Sequence, residues 1–454
     1  MNQLARKLRT VDYFTLGFGT MVGAGFLVAM DDWLNRGGPA GGILGFFAGG
    51  VILLPVAFIY GQLVMAIPDA GGEIAYTARV FPEKFSFIPG WMMILAYLVV
   101  CPWEAVAVGR ILAYIFPQIN VMELYQIGGQ PVYLPHLVIG LGLTAIITFV
   151  NYRGIQISAR FQNWTTLGLL ILFAVFASCG LVKGKMANLI PAFSHSGFVS
   201  MLLVLQIVPY FMTGFESVAK SAEEANPQFR SHGYFRAILA AMLSGTAFYC
   251  VIIFVVAYAY PWKQSVEQHQ QSPTAYALRN ALGQPWIVNV ILIAALLSLL
   301  KIFNGNFLAT TRLVFAMGRR RMIHPRMAEI HDRNQTPSAA VLAIGLVTAV
   351  SVFLGSAILI PITEVGSLAS ACGWLSACVA YYFIQPAPWQ RVIAAMGTVV
   401  SLGFIAMKVF PFVPGHFTLA EWIVLFLWII LGVLASFSGA RQGALRAVEK
   451  SATE

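Results

Sequence analysis

Apolar runs long enough to cross a lipid bilayer follow one another along nearly all of this 454-residue chain. That feature removes most folds. No water reaches the backbone in hydrocarbon, so every N–H and C=O must be bonded internally, which leaves helices and closed barrels. The runs are unbroken apolar stretches of about twenty residues or more, so they read as helices. Twelve are expected, at about 12–35, 40–67, 86–116, 134–151, 160–181, 198–220, 234–260, 286–317, 338–355, 359–384, 390–411 and 418–439. Charged residues make up 10% of the chain, against roughly 25% in soluble domains. The expectation is one all-α integral membrane domain spanning 1–454.

An even number of crossings puts both termini on one side. If the N-terminus is cytoplasmic, 20 of the 28 Lys and Arg residues fall on the inner side, among them Arg6, Lys7, Arg9, Lys220, Arg312 and the run Arg319-Arg320-Arg321. Cytoplasmic loops carry this excess, so both termini are expected inside a plasma membrane (the inner membrane of a Gram-negative cell). The net charge of +10 therefore reads as topology and contact with lipid, not as a nucleic-acid surface. The basic start leads into segment 1 without a small-residue cleavage pattern, so that segment is expected to remain in the mature protein. The five cysteines have no zinc or redox spacing and read as packing residues. The seven histidines are scattered, and no phosphate-binding Gly-x-x-x-x-Gly-Lys-Ser/Thr run occurs. Neither an enzyme nor a cofactor is expected.

Two segments are interrupted where helix is most needed. Segment 1 carries Gly19-Thr20-Met21-Val22-Gly23-Ala24-Gly25-Phe26, and segment 6 carries Pro209-Tyr210-Phe211-Met212-Thr213-Gly214-Phe215-Glu216. Unwound backbone survives in a membrane where it lines a cavity. Breaks at matching positions of two halves mark a transporter's binding site. The first ten segments divide five plus five, with segments 1 and 6 heading inverted halves at about 12–181 and 198–384. The two extra helices, at about 390–439, read as packing, lipid or oligomer contacts.

Several motifs resemble those of the amino acid–polyamine–organocation transporter superfamily. Gly23-Ala24-Gly25-Phe26 is similar to the family's break in helix 1, and Pro68-Asp69-Ala70-Gly71-Gly72 with Tyr76 to its motif after helix 2. Gly154 to Asn163 resembles the lead into helix 5, and Gly214-Phe215-Glu216-Ser217 with Glu223-Glu224-Ala225-Asn226-Pro227 resembles helix 6 and its exit. The resemblance implies the five-plus-five fold and transport of amino acids or amines. It also implies that Tyr210, six residues before Glu216, lies over the substrate.

The break at Gly23, Ala24 and Gly25 frees backbone N–H groups at a half-helix N-terminus, which suits a carboxylate. Thr20, Tyr210, Thr213 and Gly214 complete the expected contacts from the broken segments. Glu104, inside segment 3 after Pro102, is expected to face the site and pair a substrate ammonium or carry the coupling proton; pairing with Arg110 is the alternative. Glu216 is a second carboxylate at membrane depth, where such groups are usually functional, though it could simply anchor freed N–H groups. Some family members carry a helix 5 lysine in place of a sodium ion, and the matching position here is Gly168. Lys301 of segment 8 is expected to reach that region and replace it, making Glu104, Glu216 and Lys301 the coupling candidates; room for Na⁺ at Gly168 is the alternative, and snorkelling to the interface a third. Asp31 and Asp32 read as a solvated helix end. The function expected is secondary active transport of a small amino acid by alternating access, coupled to H⁺. The alternative is an amine carrier or an amino acid/amine exchanger.

Overall fold

The computed structural model describes residues 4–23, 25–267, 274, 277, 279, 283, 285–384 and 387–453. Ala24 of the expected site therefore lies outside the described residues. The protein is mostly helical. The first half comprises α1 (Thr10–Met21), α2 (Phe26–Ile52), α3 (Leu54–Ala66), α4 (Glu73–Thr77), α5 (Phe87–Leu98), α6 (Val100–Ile115), α7 (Leu134–Arg153) and α8 (Ile155–Lys183). After it come α9 (Gly197–Leu205), α10 (Val208–Met212), α11 (Ser217–Lys220), α12 (His232–Ala259) and α13 (Trp262–Glu267). The last helices are α14 (Pro285–Arg319), α15 (Ser338–Val352), α16 (Leu359–Ile384), α17 (Pro388–Val409) and α18 (Leu419–Thr453).

One element departs from the all-α expectation. Strands β1 (Glu123–Ile127) and β2 (Gln130–Tyr133) form an antiparallel hairpin between α6 and α7. Gly128 and Gly129, both at positive φ, make its turn. That pair was a hairpin signal in the sequence, hidden by the search for long apolar runs.

Among the described residues, eight helical runs are long and apolar enough to cross a membrane. The run Phe26–Ala66 counts as one of them, yet the chain turns within it at Gly38, φ 64°, where Pro39 follows. Helices α1 and α9 have only 12 and 9 residues because the chain unwinds where each would continue. The interruption in segment 6 is narrower than expected. Pro209 to Met212 are helical in α10, with Pro209 in the first turn where its missing N–H costs nothing. Within the expected stretch the unwound part is Thr213–Glu216, and a separate two-residue turn at Gln206 and Ile207 divides α9 from α10. Segment 3 is interrupted at Val99, just ahead of Pro102, whose ring and missing N–H exclude the bond to the Leu98 carbonyl.

Helix α2 packs on α9 and the start of α10 through a small-residue stripe. A Cβ added at Gly41, Gly45 or Gly49 would lie 2.7, 2.8 or 2.5 Å from Ser200, Val204 or Val208 respectively. Spacing by four keeps these glycines on one helix face, so the backbones approach closely, as membrane helices commonly do.

Two of the basic residues expected on the inner side are buried in ion pairs. Lys220 bonds Glu73 at 2.5 Å, and Arg312 holds Glu224 through two nitrogens at 2.9 and 3.2 Å; all four side chains are fully buried. The Asp31-Asp32 end is not simply solvated either. Asp32 bonds Arg36 at 2.8 Å, Arg36 bonds Glu364 at 2.8 Å, and Glu364 bonds Lys408 of α17.

Candidate functional site: two broken helices around a small cavity

The two breaks touch. Gly214 has φ +135°, a conformation that L side chains rarely adopt, and a Cβ there would fall 2.6 Å from Met21 N and 2.8 Å from Thr20 C. Glycine is thus required twice at this position, for the dihedral and for the crossing of the chains.

Helix α1 ends at Met21 and leaves carbonyls with no partner in the following turn. Three consecutive ones are taken by side chains from far along the sequence. Asn306 Nδ2 donates to Thr20 O at 3.1 Å, the Tyr249 hydroxyl lies 2.8 Å from Met21 O, and Lys301 Nζ donates to Val22 O at 2.7 Å. The Tyr249 hydroxyl also lies 3.1 Å from Phe211 O, so one proton is shared between carbonyls of both broken segments. The Lys301 ammonium sits on a helix C-terminus, where the macrodipole favours positive charge, and 5.5 Å from the centre of the Phe18 ring.

The break in segment 6 is held differently. Gly214 N–H donates to Glu216 Oε2 at 3.1 Å, only two residues on. The Thr213 hydroxyl donates to Pro209 O at 2.7 Å and is also hydrogen-bonded to Ser370 Oγ of α16. Tyr210 N donates to Ser367 Oγ at 3.2 Å.

A small cavity of about 20 Å³ lies where these segments meet, space for roughly one water. Six of the expected contact residues line it: Thr20, Gly23, Gly25, Glu104, Tyr210 and Thr213. Gly214, Glu216 and Lys301 do not line it. Gly214 faces the backbone of helix α1, Glu216 faces its own turn, and Lys301 approaches the break through Val22 from the α14 side. The remaining wall is Met21, Phe26, Val100, Trp103, Phe211, Tyr249 and Ile302. Three polar atoms around the cavity are buried without a protein partner: Glu104 Oε2, Thr20 Oγ1 and the Tyr210 hydroxyl. Gly25 caps the start of α2 with no side-chain bond to its first N–H groups.

Glu104 forms no ion pair with Arg110, which lines a separate cavity beside the β hairpin. Gly168 is on the exposed face of α8, and a Cβ added there would meet nothing within 4 Å. It makes no room for a cation. The α8 residues beside helix α1 are Gln162 and Thr166: a Cβ at Gly19 would lie 2.6 Å from Gln162 Nε2, 2.9 Å from Thr166 Oγ1 and 3.1 Å from Lys301 Cδ. Lys301 is fully buried, not snorkelling.

Tyr249 escaped the sequence reading. It is a polar side chain in the middle of an apolar segment, as Asn306 is, a signal that was present but that names no partner.

The chain matches the amino acid permease family model over residues 8–435. This chain belongs to the amino acid permease family. It is 24% identical to the methylthioribose transporter of Bacillus subtilis over 97% of this chain and 95% of that protein. It is 26% identical to the branched-chain amino acid permease BcaP of the same organism, over 83% of this chain and 79% of that one. Against the B. subtilis amino-acid permease RocE, identity is 22% over 91% and 87%. A permease is a multi-pass membrane transporter of small molecules, not an enzyme, and its relatives support amino acid transport by this one.

Proposed function

We propose that this permease is a secondary active transporter that moves a small amino acid by alternating access, driven by H⁺. In this reading the chain crosses the plasma membrane twelve times as one domain with both termini inside, and its first ten crossings form two inverted halves. The observation that carries it is the small cavity between two broken helices, three of whose lining residues each hold a buried polar atom with no protein partner. A carboxylate would lie at the start of α2, where the helix dipole favours negative charge. An ammonium would take Glu104 and the carbonyl-rich ends of α1 and α10, with Tyr210 and Trp103 closing over it. Thr20 and Thr213 would supply hydroxyl contacts.

Lys301 is the favoured coupling group. Its ammonium occupies the space between α1 and α14 where a driving cation would act, which supports H⁺ over Na⁺. Neutralising it would weaken its bond to Val22 O and loosen the break. Glu216, engaged with Gly214, reads as an anchor, and Glu104 as a substrate partner that can share the proton.

The specific observation behind the amine reading is Glu104 Oε2, a carboxylate oxygen with no protein partner beside two half-helix C-termini. It favours a cationic group on the substrate over a neutral sugar such as the one in the name of the methylthioribose relative. Uptake of paired radiolabelled amino acids and their decarboxylated amines into proteoliposomes, with and without a pH gradient, separates these readings. Amino acid accumulation that requires the gradient supports the proposal. Accumulation of the amines alone, blocked by Glu104→Gln, supports the amine reading. Flux that neither saturates nor accumulates would mean a channel and end both.

A further inference from the structure

Arg110 takes no part in the central site. It lies six residues beyond Glu104 on α6, about 240° around the helix at 100° per residue, so the two side chains leave by different faces. Arg110 lines a cavity of about 320 Å³ between α6, the β hairpin, the start of α7 and the turn before α16. None of that cavity's lining residues borders the central one.

The chemistry of this cavity is one-sided. Arg110, His136, Asn120 and Gln130 contribute nitrogen donors, and among the described residues no carboxylate lines it. His136 Nε2 is buried with no protein partner. Among the described residues Arg110 makes no hydrogen bond and no ion pair, and the opposite charge it senses is Asp31, outside the cavity wall. A largely enclosed guanidinium without an acceptor is costly, and a bound anion removes that cost. The wall is held in place by tertiary contacts. The Tyr125 hydroxyl of β1 donates to Phe353 O at 2.6 Å, and Val132 of β2 packs so closely on Gly355 that a Cβ there would lie 2.6 Å away. Val106, Ala113, Leu137 and Val352 supply an apolar side.

We propose that this cavity binds a small aliphatic carboxylate, its planar head on Arg110 and His136 and its chain against the apolar side. Guanidinium geometry matches a carboxylate through two parallel hydrogen bonds, and the volume is at the small end of ligand sites. The site is independent of the transport reading above.

Titration calorimetry of the purified full-length protein with sodium butyrate tests it. Saturable binding is expected, with butylamine silent and inorganic phosphate at least about ten-fold weaker. Arg110→Gln should weaken butyrate at least about ten-fold, the usual scale for a lost charge-assisted pair. Glu104→Gln should leave it unchanged. Should Arg110→Gln fail to fold, Ala113→Leu narrows the cavity without touching charge and should also weaken binding. No saturable binding, equal binding of phosphate, loss in Glu104→Gln, or retention in both cavity variants would overturn the assignment.

Discussion

The two breaks do the same job with different means. In helix α1, three consecutive carbonyls at Thr20, Met21 and Val22 are met by Asn306, Tyr249 and Lys301, all more than 200 residues away in sequence. In segment 6 the freed Gly214 N–H is met by Glu216, two residues on, and Thr213 by Pro209, four residues back. The first break exists only if α12 and α14 are in place. The second has local partners in Glu216 and Pro209 and is tied to α16 besides, through Ser367 and Ser370. A helix end opened in hydrocarbon needs partners either way, and the difference decides which break responds to events elsewhere in the protein. Lys301 joins the first break to α14, so a change of its charge alters helix α1 directly. Glu216 joins the second break to itself.

Substitutions can break or sharpen that contrast. The largest effect is expected from Gly214→Ala, where the two breaks meet. The new Cβ faces backbone at 2.6 Å and an unfavourable φ, costs of about 1–3 kcal/mol each. Initial uptake rate in proteoliposomes should fall by at least ~100-fold, with a lower unfolding temperature; wild-type transport would show that the segments do not cross here. Next comes Lys301→Met, which leaves Val22 O bare and removes a charged bond worth about 1.5–3 kcal/mol. Uptake should fall by about 10- to 100-fold and the remaining rate should lose its dependence on pH. An unchanged rate and pH profile would eliminate Lys301 as the coupling group. Tyr249→Phe removes one shared proton, and a loss of about five-fold in uptake is expected from a neutral hydrogen bond of about 1 kcal/mol. The smallest effect is expected from Glu216→Gln, because the amide oxygen can still accept from Gly214. Uptake within about three-fold of wild type would confirm the anchor role, whereas abolition would show that the charge of Glu216 matters.

The cavity wall shows the limits of reading residues one at a time. Thr20, Gly23, Gly25, Glu104, Tyr210 and Thr213 were legible because each interrupts an apolar segment with glycine or a polar group, and hydrocarbon makes such interruptions expensive. Lys301 was legible as a buried charge for the same reason, while its bond to Val22 O was not. Gly168 misled because alignment to a family position says nothing of helix rotation, and the side of α8 that faces α1 bears Gln162 and Thr166 instead. The partners of Lys220 and Arg312 were not legible, because a cation at the end of an apolar run looks the same whether it faces solvent or pairs with a carboxylate brought over by another loop. The hairpin was signalled by Gly128-Gly129 and overlooked.

What the sequence determined by itself was local: that the chain must be helical in lipid, where helices fail, and that the failure in segment 6 carries its own remedy in Glu216. These follow because backbone hydrogen bonding is a short-range demand, settled within a turn or two. Only the tertiary structure decided which side chains complete the failure in segment 1, that Glu104 and Arg110 serve separate cavities, and that Gly214 lies against Met21. Those outcomes depend on helix rotation and packing, which bring together residues that no spacing along the chain relates.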